Sequence, residues 1–387
     1  MNKKILITST DLMMIQFLIP HIVHLSQNGF DVEIACSEVG GRMVEVKKAV
    51  EGYAEKVHMV NLVRSPISPS NFKGYKEMKK ILKENHYDLI WTNEPVMGVV
   101  TRLAARETRK NGTKVLYMTH GFHFYKGSSI MNWIIFYPIE RIFSGLCDEI
   151  VTINREDYEM ACKFHSKKVE WIDGIGLDTE KFKIAEVDAK SKRKELEVPD
   201  KAFLLVSVGE LQHRKNHEVI IKALGEIQNT NIFYLICGRG VLLDKLKSLT
   251  SSLGLENNVK FLGYRRDVLE ILHSADLYVH PSKREGLGIA ALEAMACGLP
   301  LLTSNVGGLP DFVEEGVVGY TYDFNDIKGF REGILRYYNN EKLREQIGMN
   351  NIEAVKKYDI KRSVQRVGNI ISALVNDRVI LERVNEK

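Results

Sequence analysis

Glu285 and Glu293 stand eight residues apart in the stretch YVHPSKREGLGIAALEAMACGLP, which runs from Tyr278 to Pro300. A short apolar run, Leu277 to Val279, is broken by Pro281 and Ser282. Gly286 and Gly288 then open a helix carrying Leu287, Ala290, Ala291, Leu292 and Met295, and Gly298 and Pro300 close it. A helix start entered through glycines presents unpaired N–H groups and partial positive charge, a setting that favours phosphate. At the helical rise the two carboxylates lie roughly 12 Å apart along the axis. A nucleoside diphosphate sugar fits that span, its sugar at one carboxylate, its diphosphate at the helix start and its ribose hydroxyls at the other carboxylate. Most isolated glutamate pairs at this spacing are two residues of a solvated helix, because short motifs recur by accident. The surrounding chain has to decide.

Other candidates sit in loops. The run His120-Gly121-Phe122-His123-Phe124-Tyr125 follows an apolar strand. There His120 is placed to donate to a sugar hydroxyl, with His123 the less favoured candidate; the alternative is two histidines hydrogen-bonded beside packed aromatics. Arg214 and Lys215, in a strand-to-helix loop, would neutralise a diphosphate or else form a solvated basic pair. Gly238-Arg239-Gly240 is a truncated glycine motif that carries little weight alone.

These loops need strands to hold them. Short apolar strands are expected at Ile5 to Thr8, Val32 to Cys36, Lys56 to Leu62, Leu89 to Thr92 and Lys114 to Thr119. Helical stretches separate them: Leu12 to Gln27, Met43 to Val50, Ser70 to Asn85 and Met97 to Lys110. The alternation predicts a doubly wound parallel sheet with ligands at the C-terminal strand ends. Pro20 predicts a kink or a helix start nearby. The loop Thr8 to Leu12 holds no glycine, so it is no dinucleotide fingerprint. Ile130 to Gly145, apolar and aromatic, reads as a core helix ahead of a membrane contact, although an interfacial patch would look similar. A second alternating unit opens at Phe203 to Val208 and runs through Ile232 to Cys237, Val259 to Leu262, Leu277 to Val279 and Leu299 to Thr303. The charged run from Phe182 to Lys194 marks the boundary. The expected domains are 1–185 and 186–364, with an amphipathic final helix, about 365–387, crossing back to the first.

The 387 residues suit two domains. A net charge of +4 with interspersed signs does not imply nucleic acid. The five scattered cysteines argue for reduced thiols in a cytosol. No secretory signal is expected after Met1, and no apolar run reaches the ~18 residues needed to span a bilayer. Basic helical faces at Lys73 to Lys83 and Arg102 to Lys114 are usually just solvated, but they also suit an anionic lipid surface or a phosphate-linked acceptor. The expected location is cytoplasmic, at the inner face of the cell membrane.

With these pieces placed, the chain resembles the family 4 retaining glycosyltransferases over nearly its whole length. The most specific part is PSKREGLGIAALEAMACGLP; VSVGELQHRKNH, ICGRG, FLGYRRDV and NVGGLPDFVEEGVVGY follow the family's order. THGFHFYKG, NREDYEMA and GIGLDTEKF are similar to a branch that builds bacterial surface polysaccharides. The resemblance implies a GT-B fold, two facing Rossmann-like α/β domains with parallel sheets. It implies that Glu293 binds ribose hydroxyls, that Glu285 contacts the transferred sugar on its reacting face, and that His120 touches that sugar from the opposite domain. The amides of Gly286, Leu287 and Gly288 would hold the diphosphate, Lys215 would supply charge, and Tyr264 and Arg265 would lie beside the base. Where the family often has Gly-Arg, this chain has Gly209-Glu210, so Arg214 or Arg239 would have to substitute. The first loop also lacks the family's paired glycines.

The implied reaction is transfer of a glycosyl group from a nucleoside diphosphate sugar, UDP-linked, to a saccharide acceptor carried on a lipid, with retention. No Asp-x-Asp triplet and no His/Cys cluster at metal-ligand spacing occurs, so neither a metal nor another cofactor is expected. The alternatives are a nucleotide-sugar epimerase of the same fold and a non-catalytic nucleotide-sugar-binding subunit. The missing glycine fingerprint disfavours an NAD-dependent oxidoreductase.

Overall fold

The computed structural model describes residues 2–38, 43–66, 68–183 and 187–385. The chain divides into two compact units, Met1–Gly176 with Ile360–Lys387, and Leu177–Asp359.

In the first unit the described residues form a parallel sheet of β1 (Lys3–Asp11), β2 (Phe30–Ser37), β3 (Lys56–Met59), β4 (Leu89–Asn93), β5 (Lys114–Thr119), β6 (Glu149–Thr152) and β7 (Lys168–Trp171). Its order is β3-β2-β1-β4-β5-β6-β7. Between the strands run α1 (Leu12–Gln27), α2 (Met43–Val50), α3 (Ser70–Glu84), α4 (Pro95–Ala104), α5 (Arg106–Lys110), α6 (Ile130–Ser144) and α7 (Arg155–Ala161). Helix α1 runs through Pro20 without interruption. The stretch Met97 to Lys110, expected as one helix, is two, parted at Ala105.

The second unit starts with α8 (Thr179–Lys183) and α9 (Ala189–Glu195). Its sheet consists of β8 (Phe203–Val208), β9 (Ile232–Cys237), β10 (Val259–Gly263), β11 (Leu277–His280), β12 (Leu301–Ser304) and β13 (Gly319–Tyr322). All pairings are parallel, in the order β10-β9-β8-β11-β12-β13. The covering helices are α10 (His217–Ile227), α11 (Leu243–Ser252), α12 (Val268–His273), α13 (Ile289–Ala296), α14 (Ile327–Tyr338) and α15 (Glu341–Ala354). The last helix, α16 (Ile360–Asn385), packs on α1 and belongs to the first unit. The end of the expected returning helix, 386–387, lies outside the described residues.

The observed divisions fall earlier than the expected 185 and 364. Within the charged stretch expected to hold the boundary, α9 belongs to the second unit: Lys192 Nζ reaches Asp267 Oδ2 (3.0 Å) and Arg193 Nη2 reaches Asp276 Oδ2 (2.8 Å).

Helix α6 is corrected as well. Expected as core, it fully buries only Glu140 and Ser144, with Trp133, Phe136 and Tyr137 partly buried on the α4 side of the sheet. Arg102 of α4 donates to Glu140 (2.8 Å) inside the protein, and Tyr117 donates to the same carboxylate (3.0 Å). The opposite stripe stays in solvent: Ile130 is 71% exposed, Ile134 61% and Ile142 67%. A helix apolar on all sides has no periodicity to say which face is buried.

Candidate active site

Strand order decides where each sheet binds. In the second unit the connections reverse direction between β8 and β11, and a crevice opens at the C-terminal ends of strands where that happens. The loops leaving β8 and β11 carry Lys215 and Glu285. Asn216, held in the left-handed region (φ 55°), donates from Nδ2 to the carbonyls of Pro281 (3.0 Å) and Phe324 (2.7 Å). The Lys283 amide donates to the Arg214 carbonyl (2.7 Å). These bonds tie the two loops together.

Glu285 is the centre. Its Oε2 accepts from Lys215 Nζ (2.6 Å), His280 Nε2 (2.8 Å) and Ser282 Oγ (3.2 Å). Burial alone would raise its pKa, but Lys215 and His280 outweigh burial and hold the carboxyl well below the usual range. Burial, with Lys215, lowers the pKa of His280, so a neutral ring donates its Nε2 proton here. The backbone of Glu285 leans on the loop after β12. A Cβ placed on Gly307 (φ 54°) would sit 1.8 Å from the Glu285 carbonyl oxygen, so this contact tolerates only glycine.

Gly288, at φ 95°, caps α13 in a conformation suited to glycine, and its carbonyl accepts from the Ala291 and Leu292 amides. Gly286 and the buried Leu287 lie between this cap and Glu285. Glu293 follows on α13, partly buried, and burial pushes its carboxyl up to about 7 against the pull of Lys181. Lys181 belongs to α8, which packs on α13. The sequence reading missed Lys181; its place in GIGLDTEKF was the available signal.

The remaining expected donor residues are distributed unevenly. Arg214 Nη2 donates to Glu210 Oε2 (3.3 Å) at the surface, so the glutamate that stands where the family has arginine is itself neutralised locally. Arg239, after β9, stands over the ring of Tyr264 with its guanidinium carbon 6.0 Å from the centroid. Tyr264 is half exposed. The Arg265 guanidinium turns to Asp267 (2.8 Å) and Glu195 (2.7 Å), so its charge serves to anchor α9.

In the first unit the reversal falls between β1 and β4. Here the sequence reading missed Glu94, which follows β4 directly. It adopts φ 65°, rare for a residue with a side chain, ahead of Pro95 at the first turn of α4. Glu94 Oε2 accepts from Ser9 Oγ (2.7 Å) and from the Thr10 amide (2.9 Å). Burial, and Asp11 after it, raise its pKa. The glycine-free first loop thus turns an amide toward a carboxylate. Asp11 accepts from Arg64 Nε (2.5 Å) and caps α1 through the Met14 amide. The combination Asn-Glu-Pro at a strand end was the sequence signal.

His120 follows β5. Its Nε2 lies 3.0 Å from Asn93 Oδ1, and Asn93 Nδ2 donates to the Thr8 carbonyl (3.3 Å), which sets the amide orientation. Burial pushes the His120 pKa down to about 3, so the ring is neutral and its one N–H is given to Asn93. Toward a sugar hydroxyl the ring therefore offers an acceptor, where the sequence reading expected a donor. His123 packs its ring against Phe136, centroids 4.8 Å apart.

Residues 21–176 match the model of Glycosyltransferase Family 4, and residues 188–354 that of Glycosyl transferases group 1. EpsD of Bacillus subtilis (strain 168), a protein assigned as a glycosyltransferase, is 30% identical over 97% of this chain and 98% of its own. The chain belongs to the family 4 glycosyltransferases. This transferase is also 27% identical to an Escherichia coli enzyme, UDP-Gal:alpha-D-GlcNAc-diphosphoundecaprenol alpha-1,3-galactosyltransferase, over 91% of the chain and 92% of the relative. Among solved structures it superposes on Anabaena Alr3699/HepE in complex with UDP and glucose with a TM-score of 0.79 at 22% identity, covering 96% of this chain and 100% of that one. Sucrose-phosphate synthase from Thermosynechococcus elongatus gives a TM-score of 0.79 at 18% identity, covering 97% and 100%. These two likenesses establish the transferase's GT-B fold.

Proposed function

We propose that the transferase moves a glycosyl group from a UDP-sugar to a hydroxyl of a lipid-linked saccharide, with retention at the anomeric carbon, in the assembly of a surface polysaccharide. One observation carries the reading: at the switch point of the second sheet a lysine and an ionised glutamate meet beside a glycine-entered helix start, with Glu293 farther along that helix. The name of the Escherichia coli relative, a UDP-sugar enzyme with a lipid diphosphate acceptor, supports the donor and acceptor classes.

In the proposed step the bond from the anomeric carbon to the diphosphate breaks, and its electron pair leaves on the phosphate oxygen. The acceptor oxygen bonds to the same face of that carbon, and its proton passes to the departing phosphate. Lys215 and the amides of Gly286, Leu287 and Gly288 stabilise the growing charge, the kind of electrostatic contribution that dominates many enzymes. The proposal assigns this charge to protein groups and asks for no divalent cation. Glu285 touches the reacting sugar, Glu293 the ribose, and Arg214, Arg239 and Tyr264 border the donor. Glu94, Asn93 and His120 offer hydroxyl partners in the first unit.

The test uses purified enzyme, a panel of labelled UDP-sugars and an undecaprenyl-diphosphate-linked saccharide. Glu293→Ala is expected to weaken donor binding roughly tenfold, the loss of one or two charge-assisted hydrogen bonds. Glu285→Gln should lower turnover by about 10²–10³ while changing donor affinity less. Unaltered transfer by both variants would remove the site assignment, and isomerisation of a UDP-sugar without acceptor would reassign the chemistry to an epimerase.

A further inference from the structure

We infer that Glu94 sets the acceptor specificity of the first unit: its carboxyl fills the anion seat at the β1–β4 switch point, so the subsite there takes a sugar through uncharged hydroxyls and rejects one bearing a phosphate or carboxylate. The inference rests on the reading of a saccharide acceptor and narrows it to a class.

Backbone amides at a switch point commonly serve an anionic ligand. At the C-terminal ends of β1 and β4 three amides are instead claimed by the chain's own oxygens. The Thr10 amide donates to Glu94 Oε2 (2.9 Å), the Met97 amide at the start of α4 to Thr10 Oγ1 (3.2 Å), and the Met14 amide at the start of α1 to Asp11 Oδ1 (3.3 Å). Ser9 Oγ is a further donor to Glu94 Oε2 (2.7 Å). A ligand phosphate arriving here finds its place taken.

The backbone is held in an unfavourable state to achieve this. With φ 65° and ψ 154°, Glu94 lies in a region that belongs almost wholly to glycine, and such outliers cluster at ligand sites. Its two oxygens divide the work. Oε2 is anchored, whereas Oε1 makes no hydrogen bond among the described residues, and Glu94 is only half-buried. One oxygen therefore fixes the carboxyl and the other is left for a ligand hydroxyl. The neutral ring of His120, whose N–H goes to Asn93, likewise has only an acceptor to offer. Two acceptors call for hydroxyl donors.

Charge points the same way. Burial, and then Asp11, raise the Glu94 pKa against Ser9, Thr10 and Arg64. The share due to Asp11 is repulsion between like charges, and it would act on an acceptor anion in the same manner. The diphosphate of a lipid-linked acceptor must accordingly lie away from Glu94, with an uncharged sugar presented to it.

Two measurements test this. In the first, purified full-length enzyme transfers to a matched pair of soluble acceptors, a hexoside and the hexuronoside that differs from it only by a C6 carboxylate. Wild type should favour the neutral acceptor by about tenfold or more in kcat/KM. Glu94→Gln keeps an oxygen for Ser9 and Thr10 but removes the charge, and should bring that ratio to within about threefold. A purely structural Glu94 would lower transfer to both acceptors equally and leave the ratio unmoved, which would overturn the inference. So would a wild type that uses the two acceptors alike.

The second measurement needs neither donor nor acceptor. Glu94→Gly, which the positive φ accommodates, leaves Ser9 and the Thr10 amide without their carboxylate. Acetate should refill the place and raise the Tm of this variant, compared with chloride at equal ionic strength, while the wild-type Tm stays unmoved. Equal responses of variant and wild type to acetate would overturn the inference. Acetate rescue in Glu94→Gly, with no wild-type transfer to any saccharide, would remove the transferase reading and keep Glu94 as the occupant of the anion seat.

Discussion

Lys215 Nζ and Glu285 Oε2 lie 2.6 Å apart although seventy residues separate them in the chain. Both side chains are largely sheltered from water, at 11% and 13% exposure. Their pairing joins the loops after β8 and β11, so the group proposed to meet the diphosphate and the group proposed to meet the sugar sense each other directly.

Lys215→Ala should therefore act twice. It leaves Glu285 with only His280 and Ser282, and urea unfolding should show a stability loss of up to about 3 kcal/mol, near the lower end for a broken buried pair. Adding Glu285→Gln should recover part of that stability, since a neutral amide needs no cation. Turnover should stay low in both, about a hundredfold down. A double variant no more stable than the single one would show that the pair is not what Lys215 holds together.

The Glu293 carboxyl is pushed up to about 7 by burial. The folded protein then holds a proton between about pH 4.5 and 7 that the unfolded chain releases. By linkage, this residue's contribution to stability is present below the unfolded value and is lost as pH rises through about 7. Glu293→Gln should match the wild-type Tm at pH 5 and exceed it by a few degrees at pH 8. If Glu293 must be ionised to accept ribose hydroxyls, UDP affinity should also rise across the same window in wild type. Calorimetry of UDP binding from pH 5.5 to 8 checks this.

His120 has the opposite sign. With its pKa pushed down to about 3, the folded state stays unprotonated where an unfolded histidine, near 6.5, takes up a proton. Stability is therefore complete above that unfolded value and declines as pH falls through it toward 3. His21, buried and lowered to about 4, adds to the same trend. His120→Gln should narrow the Tm gap to wild type as pH drops from 7 to 5, while transfer falls at every pH. The wild-type pH–rate profile should carry no limb assignable to His120; a histidine-like limb that disappears in the variant would contradict the neutral ring.

Much of the fold was legible because its code is local. Continuous apolar runs such as Phe203 to Val208 and glycine-marked helix starts such as Gly286 to Gly288 depend on neighbours a few residues away. Short elements escaped: β13, α8 leading into the charged run, and α9 inside that run, which the sequence reading took as the domain boundary. Helix α8 packs on α13, a contact no local pattern shows. The residues proposed for the donor side were nameable from motif order, yet their states were not. Arg265 looked available and is held by Asp267 and Glu195; Glu94 looked unremarkable and is held at φ 65°.

By itself the sequence determined two alternating α/β units, a family, and a glutamate–glycine–helix segment suited to a nucleotide sugar. Tertiary structure alone decided that Lys215 meets Glu285, that His120 gives its only N–H to Asn93, and that α6 turns isoleucines outward. The physical reason is the same in each case. Ionisation and exposure depend on which distant groups share a site and on how much water they exclude, and a chain pattern read over a few residues contains neither quantity.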